Sequence, residues 1–118
     1  MKHARGRMPR RVPGTMNGTE ARYAADLEAR KRAGEVEDYW FEAVTLKIAD
    51  ACRYTPDFLV QLPDGTIEAH EVKGFWQDDA RVKIKVAAEK FPFVFRAFRP
   101  RAKKDGGGWA EEVFGGGD

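Results

Sequence analysis

The sequence holds a single cysteine, Cys52, among 118 residues. One thiol cannot build an internal disulfide framework or a multi-cysteine zinc site, and it predicts a chain that works in a reducing, cytoplasmic compartment. No uninterrupted apolar stretch approaches the ~18 residues that a membrane-spanning helix needs. No apolar segment follows the basic stretch Met1–Arg11, so a secretory leader is not expected. No internal repeat is visible. Acids are missing altogether from residues 1–19 (Lys2, Arg5, Arg7, Arg10, Arg11) and from residues 96–104 (Arg96, Arg99, Arg101, Lys103, Lys104). Residues 20–95 hold 11 basic and 15 acidic residues, a net charge of −4. A mildly acidic middle between two cationic arms suits a polyanion such as nucleic acid. Charged ends that merely keep a small protein soluble would look the same.

What is present is enough for one folded domain. A 13.3 kDa chain with 42% hydrophobic and 34% charged residues is globular and can bury about two-thirds of its unfolded surface. Residues 1–18 carry Gly6, Pro9, Pro13, Gly14 and Gly18 without apolar period and read as a flexible basic arm. Residues 105–118, with two glycine triplets, read as a mobile tail in which Trp109, Val113 and Phe114 could dock. The domain between them spans 19–104.

Within it, Asn17 or Thr19 caps a helix over 19–33, with Glu20 in its first turn and Gly34 as its stop. Residues 38–48 alternate as a half-buried strand, and 52–62 form a second, entered through Pro56. Leu62-Pro63-Asp64-Gly65-Thr66 predicts a tight reversal into a third strand over 66–73. A helix over 79–90, capped by Asp78 or Asp79, and a strand over 91–98 complete the order α-β-β-β-α-β, an α/β (α+β) fold with a mixed sheet.

The reversal at 63–65 sets Asp57 and Glu71 at similar heights on paired strands. Lys73, two residues beyond Glu71, points to the same face. Two buried carboxylates repel unless a cation lies between them. A hard divalent ion such as Mg²⁺ takes oxygen ligands, here Asp57, Glu71 and the Val72 carbonyl, and Lys73 can position a water or hold a phosphate. The plainer possibilities are a strand-entry turn at Asp57, a surface pair of Glu71 with Lys73 and a helix-dipole acid at Glu20. His70 faces the other side of the sheet, as a packed histidine.

Pro56-Asp57 followed, after a hairpin, by Glu71-Val72-Lys73 resembles the PD-(D/E)XK nuclease superfamily, and the preceding helix with Glu20 and the element order fit it over residues 17–98. Tyr54-Thr55-Pro56-Asp57-Phe58 and Glu71-Val72-Lys73-Gly74 look most like small phage-type endonucleases, Holliday-junction-resolvase-like or transposon-end-cleaving. The resemblance implies a restriction-endonuclease-like core. It implies Mg²⁺- or Mn²⁺-dependent hydrolysis of DNA phosphodiesters, with Asp57 and Glu71 as metal ligands, Lys73 at the attacking water and Glu20 as helper. A small nuclease has little surface for reading bases, so branched or junction DNA in phage DNA processing is the expected target. A homodimer would supply two active sites, in the host cytoplasm if phage-encoded. Expected DNA contacts are Arg10, Arg11, Trp76, Gln77, Arg81, Lys83, Lys85, Arg99, Arg101, Lys103 and Lys104. Two alternatives stay open: a non-cleaving DNA-binding or structural phage module on the same fold, and a restriction- or transposase-type subunit that needs a partner.

Overall fold

The computed structural model describes residues 14–74 and 78–115. In chain order the elements are α1 (Gly18–Arg32), β1 (Asp38–Phe41), β2 (Leu46–Ala49), β3 (Cys52–Tyr54), β4 (Phe58–Gln61), β5 (Ile67–Val72), α2 (Asp78–Lys90), β6 (Val94–Pro100), a short 3₁₀ turn (Lys103–Asp105) and β7 (Trp109–Phe114). The main sheet has the order β1-β4-β5-β6-β7, and β2 pairs with β3 in a separate two-stranded ribbon. Only β5 and β6 run parallel, joined across α2; every other pairing is antiparallel. The fold is therefore a mixed α/β one. No helix among the described residues is long and apolar enough to cross a membrane.

Helix α1 begins where its capping chemistry dictates. The Asn17 side chain accepts the Glu20 N–H at 2.8 Å, and Glu20 Oε1 accepts the Asn17 N–H at 2.9 Å. This reciprocal box satisfies two of the helix's otherwise unpaired donors. Arg30, Lys31 and Arg32 occupy the last turn, where positive charge complements the dipole, and Gly34 leaves the helix with φ 83°.

Side-chain alternation sends the sheet's apolar residues to two faces. On one face Phe58, Val60, Val72 and Phe98 pack with Tyr23 and Leu27 of α1 and with Val36. On the other, Ala69, Phe95, Ala97 and Phe114 pack with Ile84 and Ala87 of α2 and with Leu46, Ile48 and Tyr54 of the ribbon.

The long strands expected at 38–48 and 52–62 are each divided. Glu42 takes a left-handed φ of 49°, and the chain leaves β1 there to start the ribbon. Thr55-Pro56-Asp57 interrupts the second, sending β3 to the ribbon and β4 to the sheet. Pro56 has no N–H for a ladder and is fully buried at this crossover. The tail reading of 105–118 is corrected as well: residues 109–114 form edge strand β7 along β6. Arg22 lies over the Trp109 ring, 5.2 Å from its centroid, and the Trp109 indole N–H donates to Asp26. Gly115 closes the strand with φ 67°, so near α2 that a Cβ would lie 3.0 Å from that of Ala88. Cys52, the single cysteine, is half-buried.

A polar chain crosses the α1 face. The Tyr23 hydroxyl meets His70 Nδ1 at 2.7 Å, and His70 Nε2 meets Glu68 Oε1 at 2.8 Å. Arg96 donates to both oxygens of Glu68, at 3.0 and 3.1 Å, and also to Glu111. His70 is 1% exposed, as the packed-histidine expectation required. Burial pushes the Glu68 carboxyl up, but the hydrogen bonds from His70 and Arg96 outweigh it and hold it down at about 2. A carboxyl lowered from 4.5 contributes stability that is complete above about pH 4.5 and is lost as pH falls toward about 2. We predict that Glu68→Gln lowers the urea midpoint at neutral pH and that the gap to wild type narrows steadily between pH 4.5 and 2. A gap that stays constant over that range would refute the ion-pair assignment.

Candidate active site

Asp57 continues the antiparallel ladder one step beyond β4. In the register that pairs Phe58 with His70, its opposite number is Glu71. Its carbonyl accepts the Glu42 N–H at 2.8 Å, which extends the β1–β4 pairing to the same level. Glu42, Asp57 and Glu71 therefore form one row across three neighbouring strands. All three line a cleft of about 300 Å³ together with Arg53, Tyr54, Thr55, Lys73, Asp79, Ala80 and Lys83. The ribbon supplies one wall and the start of α2 the other.

The two central carboxylates are 8% and 5% exposed. Asp57 Oδ2 accepts the Val72 backbone N–H at 2.8 Å, which fixes it against β5. Glu71 uses both oxygens: Oε1 accepts the Tyr54 hydroxyl at 2.7 Å, and Oε2 meets Lys73 Nζ at 3.0 Å. Burial is the main force raising Asp57, followed by the charge of Glu71; the Val72 N–H opposes them, and the result is about 8. Lys73 moves the other way. Burial works against its ammonium, but Glu71, Asp57 and Glu20 overcome that and lift it above the ordinary lysine value. Burial, then Glu71, also raise the Tyr54 hydroxyl, so it remains a donor.

Asp57, Glu71 and Lys73 thus meet as the sequence suggested. Glu20 does not line the cleft: it is 4% exposed, one oxygen serves the α1 cap, and it acts on Asp57 and Lys73 through its charge. Among the expected DNA contacts, Lys83 lines the cleft. Arg99 is level with Lys73 in the β5–β6 register, which matches Val72 with Phe98, and is exposed. Exposed Arg101, Lys103 and Lys104 follow from the same end of β6. Arg81 is held in an ion pair, both its terminal nitrogens donating to Glu112. Lys85 lines a separate groove between α2 and β7. Arg10, Arg11, Trp76 and Gln77 lie outside the described residues.

Sequence reasoning missed Glu42 and Arg53 in this cleft and the grip of Tyr54 on Glu71. The left-handed backbone at Glu42 is the kind of locally costly conformation, about 1–3 kcal/mol, that a surrounding structure must enforce. Its carboxylate accepts the Gly14 N–H at 3.1 Å. Among the described residues no three His, Cys, Asp or Glu side chains converge as a set that could hold a metal ion. Two carboxylates opening on a cleft suit instead a hard cation that completes its shell with water and substrate oxygens. Burial first, and then the facing Glu71 charge, keep Asp57 raised in this cleft.

Compared with models of known families, with curated proteins and with solved structures, the chain matches none.

Because folding raises the Asp57 carboxyl from 3.8 to about 8, its ionisation opposes the native state increasingly as pH rises through that range. With a chelator present, Asp57→Asn should therefore melt higher than wild type at neutral pH, and the gain should close as pH is lowered to about 4. A variant that melts lower at pH 7 would show that the carboxylate stabilises the fold.

Proposed function

We propose that the chain is a divalent-metal-dependent DNA endonuclease with a restriction-endonuclease-like core of PD-(D/E)XK type. The observation that carries this reading is the Asp57–Glu71 pair, opposite one another on adjacent strands, with Lys73 on the same face and a single cleft over all three. Asp57 and Glu71 are the residues that would hold Mg²⁺ or Mn²⁺. Such an ion supplies a more acidic bound water and electrostatic stabilisation of charge developing on phosphate oxygens.

The chain's own groups have separable tasks. Tyr54 holds Glu71 Oε1 and thereby orients its carboxylate. The Val72 N–H does the same for Asp57. Lys73 stays protonated in this acidic setting, so it serves as a donor that orients an attacking water and attracts the phosphate, not as a base. The exposed cations following β6 add affinity without sequence preference, which makes binding fall steeply with salt. A small cleft with few base-reading groups favours recognition by DNA shape, and cutting both strands of a junction would require two copies.

The test is a panel of labelled single-stranded, duplex, flap and four-way DNA incubated with Mg²⁺, Mn²⁺ or EDTA. Cleavage is expected with metal and not with EDTA. Asp57→Ala and Lys73→Ala should each lower the rate by about a hundredfold or more, the loss of several kcal/mol of transition-state stabilisation, while DNA binding changes little. Full cleavage by either variant would overturn the assignment. Binding without cleavage by wild type under every metal condition would favour a non-cutting DNA module.

A further inference from the structure

Trp40 is 42% exposed and is the one aromatic side chain among the large exposed hydrophobics of the described residues. Its neighbours explain nothing about it. Tyr39 and Phe41 turn to the α1 face and pack there. Trp109 is held by Tyr23, Arg22 and Asp26. Trp40 makes no ring contact or hydrogen bond among the described residues.

Its position is set by the ladder. Trp40 is opposite Leu59, and Phe41 is opposite Phe58, so Trp40 shares a sheet face with Leu59 and with Asp57. Asp57 is two residues from Leu59 along β4 and one strand across from β1. Strand spacing and rise put its Cα roughly 8 Å from that of Trp40. Glu42, two residues beyond Trp40, already lines the cleft. Trp40 itself is not among the lining residues, but its indole is on the same sheet face as the two carboxylates and next along that face from Glu42.

Two cations line the cleft. Arg53 rises from the ribbon and Lys83 from α2, on opposite walls of the cleft. Neither has an acidic partner among the described residues, whereas Lys73, Arg81 and Arg96 all do. Unpaired cations facing each other over an acidic pocket suit a phosphodiester that enters between them. A flat aromatic beside that phosphodiester suits the base attached to it. A base can stack on indole only when it has left its own helix, and such stacking is sequence-tolerant.

We infer that Arg53 and Lys83 clamp the phosphodiester and that Trp40 stacks the adjoining base, so the preferred DNA has an unpaired nucleotide next to the phosphate in the cleft. This deepens the nuclease reading and names its substrate feature: a splayed, flap or junction-branch strand in place of continuous duplex.

The experiment separates this inference from cleavage itself. Equilibrium binding of the full chain is measured in EDTA to two DNAs, a continuous duplex and the same duplex carrying unpaired 2-aminopurine. Wild type is expected to bind the second at least about tenfold more tightly and to quench the 2-aminopurine fluorescence. Trp40→Ala should abolish both the preference and the quenching, and Trp40→Phe should restore most of the preference. Arg53→Gln and Lys83→Gln should weaken both DNAs alike, each lowering the slope of log affinity against log salt by about one. Equal affinity for the two DNAs, or a Trp40→Ala protein with unchanged preference and normal melting, overturns the inference even if the protein cuts DNA. A Trp40-dependent preference in a protein that cuts nothing with Mg²⁺ or Mn²⁺ leaves this inference standing and removes the nuclease reading.

Discussion

The site depends on one awkward contact: two acids, Asp57 and Glu71, opposite each other on paired strands and nearly shut off from water. Like charges in that arrangement repel, and burial removes the solvent that would screen them. The molecule answers with directed donors. Val72 gives Asp57 a backbone N–H, Tyr54 gives Glu71 a hydroxyl, and Lys73 gives Glu71 an ammonium at 3.0 Å. The compensation is incomplete, and Asp57 stays raised to about 8. A fold selected for stability alone has an easy remedy in an amide at position 57. The carboxylate at 57 is what the proposed metal-dependent function would use, since a cation placed there would relieve the repulsion.

The rest of the architecture holds that contact in place. The crossover at Thr55-Pro56-Asp57 hands the chain from ribbon to sheet, so Tyr54 reaches Glu71 from the ribbon while Asp57 reaches Val72 from the start of β4. The bend at Glu42 does the same for the neighbouring strand and ties its N–H to the Asp57 carbonyl. Two breaks in regular structure thus converge on one residue: the first buries Pro56 at the crossover, both interrupt local pairing, and together they fix the position of Asp57.

Local signals and long-range ones were unequally legible in the sequence. Asn17 and Glu20 announce a helix start within four residues, and Pro63, Asp64 and Gly65 announce a reversal within three. Both features appear where expected, because capping and turn chemistry are satisfied by near neighbours. The reversal also sets the register, so the Asp57–Glu71–Lys73 grouping could be read by counting outward from it. The splitting of 38–48 and 52–62 could not. Each run has strand composition throughout, and which sheet it joins depends on distant partners. Trp109 to Phe114 failed for the same reason: glycines on both sides suggest a tail, and pairing with β6 across an ordered loop is what makes it a strand. Trp40 and Arg53 were passed over because alternation gives a face but not a neighbour on the next strand.

Alternation also explains how adjacent residues of β5 serve opposite ends. Glu68 and His70 face α1 and Glu71 faces the cleft, and all three are acidic or basic groups buried in one strand. On the α1 face the charge is closed: Glu68 has Arg96, Arg96 has Glu111, and His70 has Tyr23. On the cleft face it is left open, with neither Arg53 nor Lys83 paired with an acid among the described residues, beside a raised Asp57. A closed network can only resist change, since each partner lost leaves a buried group uncompensated. Under the proposed nuclease function, an open one would gain from a ligand that brings both signs, a cation for the acids and a phosphate for Arg53 and Lys83. The two faces of a single strand therefore differ in kind, one holding the sheet to its helix and the other leaving its charge open to the cleft, which is the asymmetry the proposed function would draw on.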